Sequence, residues 1–167
     1  MNIVLIGYRG TGKSVVGGLL ANRYSMLCIS MDERIIEKAG MSVPEIVDKM
    51  GWPRFRDLET AVARELAQQD NIIIDCGGGV IERRENIDVL QKTGTIIWLK
   101  ASVDVIVSRI CTDTQRPSLT EGKTFTGEVA EVLNRRTPLY EAAAHHNIDT
   151  DDLTPAEIAD KIIRECL

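Results

Sequence analysis

The chain has 167 residues, of which 44% are apolar and 27% charged, and it carries a net charge of −5. That length suits one domain with a sizeable core, and the composition is ordinary for a soluble globular protein. The acidic balance, with no basic stripe, weighs against nucleic acid as a main partner, and the apolar runs are too short to span a bilayer.

The first apolar run, Ile3–Ile6, reads as a strand. It begins so near the start that it leaves no room for a signal peptide. It leads straight into Gly7-Tyr8-Arg9-Gly10-Thr11-Gly12-Lys13-Ser14, followed by a helical segment, Ser14–Arg23. This is the pattern G-x-x-x-x-G-K-[ST] in the strand–loop–helix setting that gives it meaning. Glycines let the backbone curl around an anion with its N–H groups turned inward, and the helix adds its positive end. In such a loop Lys13 reaches the β- and γ-phosphates and the Ser14 hydroxyl binds Mg²⁺. A glycine-rich turn that matches by chance would not need strand, loop and helix in register. The implied ligand is a nucleoside triphosphate.

Leu27–Ser30 reads as the second strand, with Asp32 just beyond its carboxyl end, where open α/β sheets bind ligands. Helical patterns cover Val43–Met50 and Arg54–Gln69, on either side of Gly51-Trp52-Pro53, so that Arg54 and Arg56 open the second helix. Ser42-Val43-Pro44-Glu45 fits a capping box with Pro in the first turn. The third strand, Ile72–Asp75, runs into Cys76-Gly77-Gly78-Gly79, where three glycines allow a ligand to lie against bare backbone. A helix over Arg84–Gln91, a strand over Thr95–Leu99 and a helix over Val103–Cys111 follow. The polar stretch from Thr112 to Thr124 then breaks the rhythm. It reads as a mobile lid that carries Arg116 to the transferring phosphate and excludes water, the bland alternative being a tolerated surface insertion. The chain ends with a helix over Phe125–Ala144, a strand over Asn147–Asp149 and a helix over Ala156–Cys166. Thr154-Pro155-Ala156-Glu157 is a second capping-box sequence. Strands alternating with helices predict a parallel sheet covered on both faces.

Arg135 and Arg136 sit late in their helix, before Pro138-Leu139-Tyr140. Arginine forks bind carboxylates bidentately. Taken singly, each arginine reads as a surface charge. Together with Asp32 and the glycine wall they describe a pocket for a small hydroxylated carboxylic acid. Cys28, Cys76, Cys111 and Cys166 form no C-x-x-C pair and read as reduced cysteines of a cytoplasmic protein. His145-His146 reads as a solvated helix end rather than a metal site.

On these residues the chain resembles the shikimate kinase family over essentially its whole length. The phosphate loop, Asp32, Phe55-Arg56-Asp57-Leu58-Glu59, Gly77-Gly78-Gly79, Arg116-Pro117, Arg136-Thr137-Pro138-Leu139-Tyr140 and Asp149-Thr150 fall in family order and spacing. The phosphate loop is shared by many NTPases; the other elements together are far more specific. The resemblance implies a three-layer α/β P-loop kinase fold with a five-stranded parallel sheet, order 2-3-1-4-5, and a lid. It implies one domain over residues 1–167, with the lid at about 112–124 and the substrate-binding region at about 32–60. The implied activity is transfer of the ATP γ-phosphate to the 3-hydroxyl of shikimate, in aromatic amino acid biosynthesis, by a cytoplasmic monomer using Mg²⁺.

Site residues carry over by position. Gly10, Thr11, Gly12, Lys13, Ser14, Val15, Arg109 and Arg116 would bind ATP, with Arg109 against the adenine opposite the loop from Thr150 to Pro155. Asp32, Arg56, Glu59, Gly78, Gly79 and Arg136 would bind shikimate, the two arginines clamping its carboxylate. Lys13, Asp32 and Arg116 would be catalytic, with Asp32 orienting the attacking hydroxyl and taking its proton. Ser14 would ligate the metal together with Asp75 or Asp32. Arg54 and Arg135 have no family role.

Three positions depart from the family. It usually carries D-x-D after the second strand, and here the residues are Ser30-Met31-Asp32. Asp75 ends the third strand where a small or hydroxylated residue is commoner. It either supplies the carboxylate missing at position 30 or caps the neighbouring turn. Trp52 stands where a glutamate is common, at the rim of the substrate pocket. Two rival functions follow. A kinase for another hydroxylated acid, such as gluconate, is opposed by the triple glycine and the R-x-P-L-Y segment. A nucleotide-binding module without catalysis is favoured by Ser30 and opposed by Asp32, Arg56, Arg116 and Arg136.

Overall fold

Strand β1 (Asn2–Ile6) is buried along its whole length, as a continuous apolar run in a parallel sheet must be. The computed structural model describes residues 1–110 and 125–167 and places β1 at the centre of a five-stranded sheet. The other strands are β2 (Leu27–Ser30), β3 (Ile72–Asp75), β4 (Gly94–Lys100) and β5 (His146–Asp149). Their order is β2-β3-β1-β4-β5, and every neighbouring pair is parallel. Both the order and the parallel pairing match the expectation. Because β1 has β3 on one side and β4 on the other, the chain leaves its carboxyl end at a topological switch point, where such sheets open a crevice.

Alternate side chains of each strand feed different layers. Ile3 and Leu5 join Ile73, Ile97 and Leu99 on one face, beneath helices α1 (Lys13–Tyr24) and α7 (Pro155–Glu165). Val4 and Ile6 join Ile74, Ile96 and Trp98 on the other. That face is covered by α2 (Met31–Ala39), α3 (Val43–Leu66), α4 (Arg84–Gln91) and α6 (Phe125–Ala143). Helix α5 (Val103–Ile110) packs with α6 around Tyr8 in a smaller cluster. No helix among the described residues is long and apolar enough to cross a membrane.

Three local features differ from the expectation. Helix α2 has no counterpart in the sequence reading, because its only buried residues are Met31 and Ile35, too few to show a period. It is held instead by its ends: the Ser30 hydroxyl accepts from Glu33 N–H at 3.3 Å, and Gly40 closes it in a left-handed conformation. The two helices expected around Gly51-Trp52-Pro53 meet without a loop, as one kinked element. Gly51, at φ 80° and ψ 166°, is the kink. His145 is no idle helix end: its Nδ1 accepts from Ile96 N–H at 2.9 Å, and its own N–H donates to the Ile96 carbonyl at 2.8 Å. It therefore docks the start of β5 onto β4. Cys111 and the stretch expected to form a lid lie outside the described residues.

Of the two capping sequences, Thr154 forms both bonds of the box with Glu157. Ser42 accepts from Glu45 N–H, while the Glu45 carboxylate takes the Ser42 hydroxyl rather than its N–H. Replacing Thr154 by Ala should cost about 1 kcal/mol. Leu20, fully buried between the sheet and α7, should cost about 2–5 kcal/mol when cut to Ala. Urea unfolding of both variants checks this; equal losses would contradict the layer assignment.

Candidate active site

The phosphate loop occupies the turn from β1 into α1. Gly12, at φ 92°, sits at the N-terminus of α1 and no side chain caps that end. The first-turn N–H groups are therefore available to an anion. Lys13 is only 8% exposed. Its Nζ donates to the carbonyls of Gly7 at 2.8 Å and Tyr8 at 3.0 Å, so the ammonium lies inside the curl of the loop. The Thr11 hydroxyl donates to the Tyr8 carbonyl at 2.9 Å and stiffens the same curl. Arg109 crosses from α5 and donates to the Gly10 carbonyl at 2.9 Å. Val15 is exposed on the first turn of α1, at the rim of the loop.

Beside the loop lies a cavity of about 310 Å³, bounded by Lys13, Ser14, Asp32, Asp75, Arg9 and Gly78 among others. The Ser14 hydroxyl donates to Asp75 Oδ2 at 2.5 Å. Burial pushes the Asp75 carboxyl above the usual aspartate range, Lys13 and the Ser14 bond pull it back, and Asp32 and Glu33 add to the rise. The oxygens of Ser14, Asp75 and Asp32 around one cavity are the hard donors that Mg²⁺ takes. Among the described residues no three of His, Cys, Asp and Glu form a metal cage. An ion here would therefore depend on phosphate oxygens and water, the usual state of Mg²⁺ at nucleotide sites.

The three glycines after β3 gather the remaining charged groups. A Cβ on Gly77 would lie 2.9 Å from Asp32 Oδ1 and 3.2 Å from Glu59 Oε2. One on Gly78 would lie 3.4 Å from Arg136 Nη1. One on Gly79 would overlap the Arg56 guanidinium. Asp32 comes from α2, Arg56 and Glu59 from α3, and Arg136 from α6. Residues far apart in sequence thus meet because the wall between them has no side chains.

Each clamp arginine has its own carboxylate. Arg56 donates to Glu59 Oε1 at 2.9 Å, and Glu59 is 1% exposed. Its guanidinium also lies 5.3 Å from the Trp52 ring centroid and 5.4 Å from that of Phe55. Trp52 therefore gives Arg56 an aromatic face to rest on. Arg136, 3% exposed, donates through Nε to Glu82 Oε1 at 2.8 Å and lies over the Tyr8 ring. The sequence reading missed Glu82, which sits in the single turn Val80–Glu82 with no pattern to mark it. Arg135, expected to be peripheral, donates to the same oxygen at 2.9 Å from an exposed position. Tyr140 donates its hydroxyl to the Gly78 carbonyl at 2.5 Å and fixes the wall from behind. Burial holds that phenol well above its ordinary range, so it stays a donor at neutral pH. Arg54 is exposed, and Arg116 lies outside the described residues.

Partial burial works against charge on Glu82, but the bond and charge of Arg136, with Arg135 and Arg56 beyond, outweigh it and hold its carboxyl below the ordinary range. A depressed carboxyl stabilises the fold above its unfolded pKa, about 4.3, and loses that contribution as pH falls through its folded value. Replacing Glu82 by Gln should therefore destabilise the protein by about 1–3 kcal/mol at neutral pH. The difference from the parent should shrink on acidification toward about pH 3, as read by urea unfolding across pH; a constant difference would contradict the pairing.

The shikimate kinase family model matches residues 9–167. A shikimate kinase of Thermodesulfovibrio yellowstonii is 43% identical over 164 residues, covering 98% of this chain and 94% of that protein. One from Caldicellulosiruptor bescii is 36% identical over 162 residues, covering 97% and 93%. Among solved structures, the shikimate kinase from Acinetobacter baumannii in complex with shikimate has a TM-score of 0.93 at 32% identity, covering 98% of this chain and 90% of that one. The shikimate kinase of Aquifex aeolicus has a TM-score of 0.82 at 28% identity, covering 98% and 94%. With its phosphate loop, its bare glycine wall and the charged groups that converge there, this chain belongs to the shikimate kinase family.

Proposed function

We propose that this chain transfers the γ-phosphate of ATP to the 3-hydroxyl of shikimate, giving shikimate 3-phosphate and ADP, in the route to the aromatic amino acids. The observation that carries this is the convergence of Asp32, Arg56 and Arg136 on the glycine wall, one cavity away from Lys13 and Ser14. Two guanidinium forks suit one carboxylate, and a carboxylate suits an adjacent hydroxyl. The bound shikimate of the Acinetobacter baumannii relative supports the same acceptor. Gluconate, the rival acid, is opposed by the triple glycine and by Arg136-Thr137-Pro138-Leu139-Tyr140.

Phosphoryl transfer through a loose transition state needs positioning and charge stabilisation more than covalent help. Lys13 and the α1 N–H groups hold the β- and γ-phosphates. Arg56 and Arg136 fix the carboxylate of the acceptor, Glu59 and Glu82 keep those arginines in place, and Gly78 and Gly79 let the ring approach. Asp32 orients the attacking hydroxyl and accepts its proton late in transfer. Mg²⁺, held by Ser14 with Asp75 or Asp32, would shield charge on the β- and γ-phosphates. Residues 112–124 act as the lid, with Arg116 on the transferring phosphate, and Arg109 packs on the adenine. The region of residues 32–60 binds the acceptor. The whole chain works as one cytoplasmic domain and as a monomer, with neither nucleic acid nor membrane as partner.

Mg²⁺-dependent ADP release, measured with shikimate, with gluconate and with no acceptor, tests this reading. Release with shikimate alone is expected. Release with gluconate would move the assignment to another acid kinase, and binding of ATP and shikimate without release would make the chain a binding module. Replacing Asp32 by Asn should lower kcat by about 10²–10⁴-fold with ATP affinity unchanged; equal losses in both would contradict its role. Replacing Arg56 by Ala should raise KM for shikimate by about 10–100-fold, the worth of a charge-assisted bond, while KM for ATP stays in place.

A further inference from the structure

Ser14 and Asp75 are 61 residues apart in sequence, yet their side chains meet at 2.5 Å. The sheet explains how. In the β2–β3 pairing Ser30 stands directly beside Asp75, and in the β1–β3 pairing Asp75 stands beside Leu5, two residues before the loop begins. β3 lies between β2 and β1. A carboxylate at position 75 is therefore one strand closer to the phosphate loop than any group at position 30. The Ser30 hydroxyl is engaged in capping α2 through Glu33 N–H, and a serine brings no charge for a cation.

The two aspartates that border the cavity face different ways. Asp32 Oδ1 lies against Gly77, on the acceptor wall. Asp75 Oδ2 is bonded to the one loop side chain, Ser14, whose hydroxyl takes a metal in loops of this kind. The turn after β3 does not need Asp75 as a cap. Cys76 N–H donates to the Leu5 carbonyl at 3.1 Å, and Val80 N–H to the Gly77 carbonyl at 3.1 Å.

Resting on the kinase reading above, we propose that Asp75 is the carboxylate through which this chain holds the Mg²⁺ of its nucleotide, taking over from β3 a charge that β2 does not supply at Ser30. Asp32 is then left to the acceptor hydroxyl. Ser14 and Asp75 already sit at hydrogen-bond distance, so the fold has brought together two oxygens that would hold the ion, with the Ser14 hydroxyl keeping its proton and turning it away from Asp75.

The test is metal binding without turnover. Mn²⁺ serves as the probe, titrated into the protein–ADP complex and followed by electron paramagnetic resonance, with calorimetry of ADP binding in metal-free buffer as the control. Replacing Asp75 by Asn should weaken Mn²⁺ binding by about 10–100-fold without weakening metal-free ADP binding. The relocated variant, Ser30→Asp with Asp75→Ser, should regain most of that loss, because it returns one carboxylate to the neighbouring strand at the same level. Unchanged Mn²⁺ affinity in Asp75→Asn, an equal loss of metal-free ADP binding, or a relocated variant no better than Asp75→Asn would each overturn the proposal. No acceptor is present in these titrations. Failure of the kinase reading would show separately, as absent shikimate-dependent ADP release by the parent protein.

Discussion

Gly77, Gly78 and Gly79 leave the mouth of β3 as bare backbone, and charged groups from three helices close on it. Asp32, Arg56 with Glu59, and Arg136 reach positions that a single methyl on each glycine would occupy or crowd. Drawing the buried Arg136 and the partly buried Arg56 out of water is costly unless each is paired. Glu59 and Glu82 supply those pairs from behind. Each arginine is thereby held by part of its fork. The site is thus a set of paired charges aimed at a wall that takes up no space.

The nucleotide side obeys a complementary logic. Its ligand is an anion, so the loop offers N–H groups, the α1 end and the buried ammonium of Lys13. Carboxylates here would repel phosphate unless a cation stood between them. Asp75 is nonetheless placed against Ser14 and near Lys13, and on the proposal above it serves the cation. Acceptor and nucleotide subsites share the β3 exit: Asp75 ends the strand on the loop side and the glycines begin the wall two residues later.

What could be read in the sequence was local or strongly periodic. The phosphate loop is one contiguous spacing, and the strands are short apolar runs, so β2 and β3 were legible to the residue. Thr154 advertises its helix by sequence alone. Helix α2 was not legible because it is held by end caps and one buried face of two residues. Glu82 was not legible because its partner lies 54 residues away and only the fold brings them together. Trp52 could be flagged as unusual, but its stacking on Arg56 depends on the Gly51 kink that swings the start of the second half of α3. Asp75 lay between: the strand pattern pointed to it, and only strand register sets it beside Ser30.

We propose that the emptiness of the wall places Arg56 for the acceptor. Gly79 tests it most directly, because its φ of −94° is open to any residue, so an added methyl acts through Arg56 and not through backbone strain. Calorimetry of shikimate and ADP binding to the Gly79→Ala variant, with its melting temperature as control, is the measurement. Shikimate affinity is expected to fall about tenfold or more, the loss of one charge-assisted contact, with ADP affinity held and the melting temperature lowered only as far as the Arg56–Glu59 pair is disturbed. Unchanged shikimate affinity, or an equal loss of ADP binding, would contradict it.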